Sequence, residues 1–516
     1  MNKGVNMAYL MGIDVGTTGV KVLLIDEYGN VVGSAIEEYP MYTPYPQWAE
    51  QDPEDWWDAA YEAIRRVLSH PDLDLEEIEG VGLTGQMHGM VMLDEEGEVL
   101  RPCIMWNDQR TAAQCEWIMD TVGRDRFLEL TLNRALPGFT APKIIWTREN
   151  EPEIYAQAAR ILLPKDYLRY RLTGVYATEV SGASGTALLN VSERAWSEQV
   201  LEKLGIPRDW MPPCVESTEV TGEISAEAAE KTGLPVGVPV VGGAGDQAAS
   251  AVGTGIVEPG LVSVTLGTSG VVFAYAEEPS LDPEGRLHTF CHAVPDKWHV
   301  MGVTLSAGGS LRWFRDALGH AEQDIAVLSD VDPYEILTAE AGNAPVGCEG
   351  LLFLPYLTGE RTPYADPNAR GAFFGLTLRH DKRHMVRAVL EGVAYSLRDC
   401  IELFHDLNIP IQQVRAVGGG ARSVVWCQII SDVFGIELAT VNITDSTAYG
   451  AALLAGVGTD VYASVPEACA ETVRITDRTQ PIVENQDIYN EYYPVYRSLY
   501  AALKPAFDDV AATDID

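Results

Sequence analysis

Residues 11 to 21 read Met-Gly-Ile-Asp-Val-Gly-Thr-Thr-Gly-Val-Lys, and residues 262 to 272 read Val-Ser-Val-Thr-Leu-Gly-Thr-Ser-Gly-Val-Val. The two Gly-Thr-Thr/Ser-Gly turns start at Gly16 and Gly267, about half the chain apart. Each is flanked by apolar, β-prone runs: Tyr9–Val15 and Val20–Ile25 in the first copy, Leu261–Leu266 and Val271–Tyr275 in the second. Glycine turns between such runs predict β-hairpins. Two halves that open on the same hairpin predict a duplicated domain.

Working outward, strand and helix patterns alternate, which predicts an α/β fold. A third strand is expected near Val31–Ile36. Asp52-Pro53 then caps a helix whose inner face carries Trp56, Ala60, Ala63, Ile64 and Val67. Val81–Leu83 leads into Thr84–Gly89, Val238–Val241 into Gly242–Gln247, and Val414–Val417 into Gly418–Ser423. Each of these is a strand ending in a glycine-rich loop. A long helix is expected over about Arg383–Phe404, a strand at Leu351–Pro355, and a Tyr-rich helix from about Asn485. The expected divisions are 8–256, 261–458 and a tail of 459–516, with the boundary between halves near Gly253–Gly260.

At 516 residues, two large domains are the default. Lys+Arg number 36 against 75 Asp+Glu, a net charge of −39. Such a surface repels nucleic acid and anionic membranes, so neither is an expected partner. It also repels a nucleotide, so an ATP site has to supply backbone N–H groups and a divalent cation. A high-salt cytoplasm would screen the self-repulsion and account for the scarce lysine; an acidic protein of an ordinary cell is the other reading. Eight scattered cysteines without a CxxC pair read as reduced packing residues, which points to the cytoplasm and away from zinc or disulfide frameworks. No apolar run approaches the roughly 18 residues of a membrane span. Met1–Leu10 reads as a short leader into a strand rather than a signal peptide.

The turns carry the first chemistry. Two glycines in a tight turn let N–H groups approach a phosphate, and threonine hydroxyls add donors. One such turn is usually only a hairpin, but two copies facing across a cleft would hold the two ends of a triphosphate. No GxxxxGK[ST] motif is present, which disfavours a P-loop fold. Asp14 precedes the first turn, where the second has Thr265. A carboxylate beside phosphate donors calls for a cation between them, so Asp14 is a candidate Mg²⁺ ligand, direct or through water. The alternative, a solvent-facing Asp on an edge strand, sits poorly with Ile13 and Val15 on either side. Asp246 stands where a strand ends and a helix begins, a place that favours an ionised carboxylate. That suits a base taking the proton of a sugar hydroxyl; a plain helix cap is the other reading. Gly418–Gly420 and Ser306–Ser310 are further places of close backbone approach. Met87-His88 and Trp106–Arg110 put polar and aromatic groups in loops, the residue types that bind sugars, although a lone histidine such as His88 is more often structural.

Together, Met11–Lys21, Gly85–Gly89, Met105–Arg110, Pro137–Trp146, Leu163–Tyr167, Gly242–Gly253, Leu266–Gly270, Gly371–Leu376 with Ala388–Gly392, and Gly418–Ser423 resemble the FGGY carbohydrate kinases over nearly the whole chain. The Gln-Met-His-Gly, Trp-Asn-Asp-Gln-Arg, Pro-Gly-Phe-Thr-Ala-Pro-Lys and Leu-Pro-Lys-Asp-Tyr strings are most similar to the branch that phosphorylates xylulose. The resemblance implies two ribonuclease-H-like lobes of the actin/hexokinase type flanking a cleft. It implies Asp246 as proton acceptor, with Met87 and His88 on the ketose and Gln247 beside the base, where some relatives have Asn. The residues' own chemistry adds Asp14 at the metal and Trp106 and Asn107, of the Trp106–Arg110 loop, on the sugar side. Gly16, Thr17, Thr18 and Lys21, with Gly267 and Thr268, would surround the phosphates, and Gly308, Gly419 and Gly420 would line the nucleotide. Thr147, where relatives often carry an aliphatic residue, is a departure expected to touch packing only. The implied reaction is MgATP-dependent conversion of D-xylulose to D-xylulose 5-phosphate. Another sugar kinase (ribulose, sugar acid or polyol) and a non-catalytic actin-like ATP switch are the alternatives. Family members are often homodimers, and no segment here shows a distinct interface pattern.

Overall fold

The computed structural model describes residues 7–71 and 73–513. The leader reading of residues 1–6 and the last three residues of the tail lie outside these. The first hairpin forms as expected: β1 (Tyr9–Val15) and β2 (Gly19–Asp26) pair antiparallel, with Gly16 N donating to Gly19 O at 3.0 Å across the turn. β3 (Val31–Glu38) completes a meander, and α1 (Pro53–Leu68), capped by Asp52, lays Trp56, Ala60, Ala63, Ile64 and Val67 onto β2 and β3. On the other side of β1 lies β4 (Ile78–Gly85), parallel to it. The sheet continues through β5 (Val220–Glu223) and β6 (Pro239–Val241) in the order β5-β6-β4-β1-β2-β3, and the short β7 (Ala244–Gly245) also pairs with β4. α2 (Asp246–Gly253) follows at once.

The second lobe repeats the plan. β8 (Gly260–Leu266) and β9 (Gly270–Ala276) form the second hairpin, which β11 (Trp298–Thr304) and β10 (His288–Cys291) extend antiparallel. After α3 (Gly308–Leu318) and α4 (Lys382–Asp406), β12 (Ile411–Val417) lies parallel to β8, as β4 does to β1. α5 (Val424–Phe434), β13 (Leu438–Val441), α6 (Ser446–Gly458) and β14 (Ile475–Thr479) finish the sheet, ordered β10-β11-β9-β8-β12-β13-β14. α7 (Val483–Ala511) buries Tyr489, Tyr493 and Tyr496 against Tyr395 of α4, so the tail is part of this lobe's core.

Two consequences position the site. β1 is an interior strand, with Asp14 in register with Lys21 on one side and Thr84 on the other, so the edge-strand alternative for Asp14 fails. Strands covered on both faces read as continuous apolar runs, as β1 and β2 do. Second, α6 follows a strand of the second lobe yet packs on β1 and β4 of the first. Glycine makes this approach possible. A Cβ at Gly12 would stand 1.8 Å from Ala448 O, one at Gly82 1.9 Å from Ala451 O, and one at Gly450 1.9 Å from Ala249 O in α2. All eight cysteines are free. Among the described residues no helix is long and apolar enough to cross a membrane.

Candidate active site

Asp14, on β1, and Asp246, at the start of α2, both belong to the first lobe, and α6 of the second lobe reaches Asp14 through Thr447. Asp14 Oδ2 accepts from Thr447 Oγ1 at 2.6 Å, a contact from the first turn of α6, while Oδ1 is buried without a partner. Burial raises its pKa, opposed by the Thr447 hydroxyl and the Lys21 charge; Asp445 adds to the rise. Asp246 is the first residue of α2, with Gly245 in the cap position, and its Oδ1 accepts from Gln247 N at 2.7 Å. Its pKa is pushed up to about 7, first by burial and then by the negative charge of Asp14, with hydrogen bonds from Gln247 opposing. The expectation that a helix start keeps this carboxylate firmly ionised is therefore corrected. Desolvation and a like charge outweigh the end of a two-turn helix.

Lys21 does not stand free for a phosphate: it is ion-paired with Asp445, at the start of α6. The glycine turns themselves present their amides. In the first, the carbonyls are held inward: Gly16 O accepts from Tyr39 Oη, Thr17 O from Gln51 Nε2 at 2.8 Å, and Thr18 O from Tyr39 N at 3.3 Å. In the second, Gly267 O accepts from Gly308 N at 2.7 Å, and Thr268 O from Ala307 N and Gly309 N at 2.9 Å. Among the described residues, no partner takes the N–H groups of Thr17 and Thr18, or of Gly267 and Thr268. Tied carbonyls and free amides make a concavity suited to anions. Gly267, Thr268, Gly308, Gly419 and Gly420 line one cavity of about 480 Å³, walled by Leu311, Tyr334 and Trp426 and edged by Arg312 and Arg422. Gly16, Thr17 and Thr18 are not among the residues lining it.

On the sugar side, β4 runs into Gln86–Gly89. A Cβ on Gly245 would stand 2.9 Å from Met87 Cγ, so Met87 adjoins the residue before Asp246. His88 has a φ of 71°, a left-handed backbone that turns its ring onto Phe139 (centroids 4.6 Å apart). Its Nδ1 lies 2.7 Å from the Gly185 carbonyl, which can only accept, so Nδ1 carries the proton and Nε2 is an acceptor. Burial holds His88 down to about 3, a neutral imidazole. Lys143 fixes this loop from behind: Nζ donates to His88 O at 2.8 Å and Gly138 O at 2.7 Å. Burial without a carboxylate partner pushes the Lys143 amine down to about 7. In the sequence Lys143 was only one letter of a string; nothing local marks it as the tie between two loops. Trp106 reaches the first turn, Nε1 donating to Thr17 Oγ1 at 3.1 Å. Asn107 is turned elsewhere, with Nδ2 on Met41 Sδ, and lines a separate cavity with Tyr45 and Trp48. Gln247 stays beside Asp246. Thr147 is buried, its hydroxyl on Lys143 O at 2.9 Å, a packing role as expected.

The family model for the N-terminal domain of the FGGY family of carbohydrate kinases matches residues 9–253, and that for the C-terminal domain residues 262–459. The chain is 41% identical over 496 residues to the xylulose kinase of Escherichia coli (strain K12), covering 96% of this chain and 99% of that one. It is 38% identical over 498 residues to the xylulose kinase of Bacillus subtilis (strain 168), covering 96% and 98%. The crystal structure of xylulose kinase from Rhodospirillum rubrum superposes with a TM-score of 0.89 at 30% identity, covering 97% of this chain and 100% of that one. Since the two lobes are matched by the family's two domains and relatives share almost its whole length, the chain belongs to the FGGY family of carbohydrate kinases and is a sugar kinase.

Proposed function

We propose that the protein transfers the γ-phosphoryl group of ATP to D-xylulose, giving D-xylulose 5-phosphate and ADP. One observation carries the chemistry: a carboxylate titrating at about 7, half-buried at a helix start beside Met87 and next to a second carboxylate. A base near neutrality is half ready to take a proton and still strong enough to hold it. Asp246 accepts the proton of the C5 hydroxyl as its oxygen attacks phosphorus. The new O–P bond forms while the bond to the β–γ bridging oxygen breaks, and ADP leaves. Such a transfer needs mainly positioning and charge stabilisation. The free amides of the two turns are suited to phosphate oxygens, Met87 to the apolar face of the sugar, and His88 Nε2 to a sugar hydroxyl. Lys21, neutralised by Asp445, is suited to bracing α6 against β2. Eight free cysteines suit a reducing cytoplasm.

The donor set also fits a magnesium ion. Asp14 Oδ1 is an orphaned hard oxygen beside a second carboxylate, and no group of three or more His, Cys, Asp or Glu is present among the described residues. Mg²⁺ is commonly held in this way, by one or two carboxylates plus substrate phosphates. Bound there, it would supply positive charge to the phosphates and relieve the repulsion between the carboxylates. Asp14→Asn should keep the Thr447 contact and the fold. It should raise the Mg²⁺ concentration for half-maximal rate by about tenfold or more and lower kcat by about 10². A Mg²⁺ titration superimposable on the wild type would remove Asp14 from the metal.

The substrate rests on the near full-length relatives and on the Gln-Met-His-Gly and Trp-Asn-Asp-Gln-Arg strings. A coupled ADP-release assay tests it with D-xylulose, D-ribulose, an aldonate, a pentitol and no sugar. D-Xylulose should raise the rate at least about 10²-fold over the blank, since a water-excluding cleft should suppress hydrolysis. A higher kcat/KM for another member of the panel would reassign the substrate, and a rate indifferent to every sugar would favour an ATP-driven switch.

A further inference from the structure

The chain's deeply buried arginines have acidic partners: Arg101 pairs with Glu50 and Glu151, Arg110 with Asp108, Arg169 with Asp166, and Arg387 with Glu391. Arg361 is different. Its backbone is pinned on both sides. Glu360 Oε1 accepts from Arg361 N at 2.7 Å and Leu305 N at 3.0 Å, and Oε2 accepts from Thr304 Oγ1 at 2.7 Å. Thr362 N donates to Val303 O at 3.0 Å, and Thr362 Oγ1 donates to Arg286 O at 3.1 Å. Yet among the described residues the guanidinium has no hydrogen bond, ion pair or aromatic face. It keeps some accessible surface, but the surrounding walls withdraw enough water to lower its pKa, with Glu360 opposing. An arginine held this firmly with five unused donors is short of a partner.

Its surroundings say where that partner lies. Arg361 stands between Glu360, tied to Thr304 and Leu305, and Thr362, tied to Val303, at the end of β11, whose Met301 pairs with His288. The His288 ring lies 5.9 Å from Phe139, which stacks on His88 at 4.6 Å, and the Arg361 charge helps to hold both imidazoles down. Asp246 follows Gly245, which abuts Met87, and Met87 leads into His88. The neighbours so joined run in the order Asp246, Met87, His88 and, beyond Phe139 and His288, Arg361. A five-carbon sugar with its C5 hydroxyl at Asp246 extends its C1–C2 end towards Arg361. A 2-ketopentose closes its furanose ring through that same C5 oxygen. The molecule with a free C5 hydroxyl is thus the open chain, and it carries a free carbonyl at C2.

We propose that Arg361 is a specificity-determining residue, whose guanidinium donates to the carbonyl oxygen at the end of the ketose remote from the hydroxyl that is phosphorylated. This inference rests on the sugar-kinase reading above and deepens it. A cation with donors only, on a pinned backbone, favours the strongest acceptor, a carbonyl or a carboxylate, over the hydroxyl of a polyol. The site selects 2-ketopentoses against pentitols, and an aldonate of the same length binds as a competitor through its carboxylate.

The test compares wild type, Arg361→Met, Arg361→Gln and Arg361→Lys. The readouts are kcat and KM for D-xylulose and a pentitol, competition by a pentonate, KM for MgATP, and melting temperature as a check of folding. Arg361→Met should lower kcat/KM for the ketose by about 10² and for the pentitol by less than about threefold, with the KM for MgATP within about twofold. Competition by the pentonate should weaken at least about tenfold. Arg361→Lys, which keeps the charge but not the fork, should fall between. A folded Arg361→Met whose ketose-to-pentitol ratio stays within about twofold of wild type overturns the inference alone. A wild-type protein that turns over no ketose overturns the functional reading and this inference with it.

Discussion

Asp246→Asn should lower kcat by about 10⁴, with nucleotide affinity changed less than about twofold. Asparagine has the same shape and can still accept from Gln247 N through its amide oxygen, so the change removes the base and little else. The pH dependence follows from the carboxylate's position. Only deprotonated Asp246 can accept the sugar proton, so kcat/KM for the wild type should fall with decreasing pH, through about 7. A cation at Asp14 would offset the second largest cause of that raised pKa, so the limb in kcat, measured with MgATP bound, should lie lower. Stability moves the opposite way. The folded pKa lies above the ordinary carboxylate value of 3.8, so between the two the folded state holds a proton the unfolded chain has lost. Wild type is therefore penalised above about pH 7 and relieved on acidification. The asparagine variant should melt higher than wild type at pH 8, with the gap closing towards pH 4. Steady-state rates across pH, paired with melting curves, check both. A variant within tenfold of wild-type kcat would remove Asp246 from the role of base.

What could be read from the sequence was local. The paired turns were visible because close approach of backbone to an anion needs glycine and small hydroxyl residues in a fixed order, and that order appears twice. The strand-to-helix position of Asp246 was visible for the same reason. Its titration was not, because the groups that set it are the surrounding walls and Asp14, more than two hundred residues earlier. Lys21 looked like a phosphate ligand because its counter-ion, Asp445, lies 424 residues along the chain, and Thr447 is 433 residues from the carboxylate it holds. Asn107 has the right chemistry for a sugar, but the turn after Met105 points it towards Met41. Arg361 had no signal at all, since an arginine's lack of a partner exists only in three dimensions. Gly12 and Gly82 are an intermediate case. Glycine inside a strand announces that something comes close, without saying that it is a helix from the other lobe.

That close contact sets up the second large effect. Gly12→Ala should destabilise the protein by about 3 kcal/mol and lower kcat by about 10². The new Cβ would lie 1.8 Å from Ala448 O, 2.8 Å from Ala448 C and 2.9 Å from Ala452 N, all of them helix backbone. No rotamer change relieves a clash with backbone, so α6 has to move. It has nowhere simple to go. On the same side Gly82 meets Ala451 O at 1.9 Å, and behind it Gly450 meets Ala249 O of α2 at 1.9 Å, so the helix is wedged between the sheet and a second helix. The first turn of α6 carries Thr447 on Asp14 Oδ2, and Asp445, just before it, holds Lys21. Displacement would therefore pull the lobes apart where they share the candidate metal carboxylate. Gly33→Ala is the control: its Cβ would meet Val67 Cγ1 at 3.5 Å, an ordinary contact with a side chain, and both melting temperature and kcat should stay near wild type. If Gly12→Ala behaves like Gly33→Ala in both, the backbone contact between the lobes is not what fixes Asp14, and its orphaned oxygen has to be held by the strand alone.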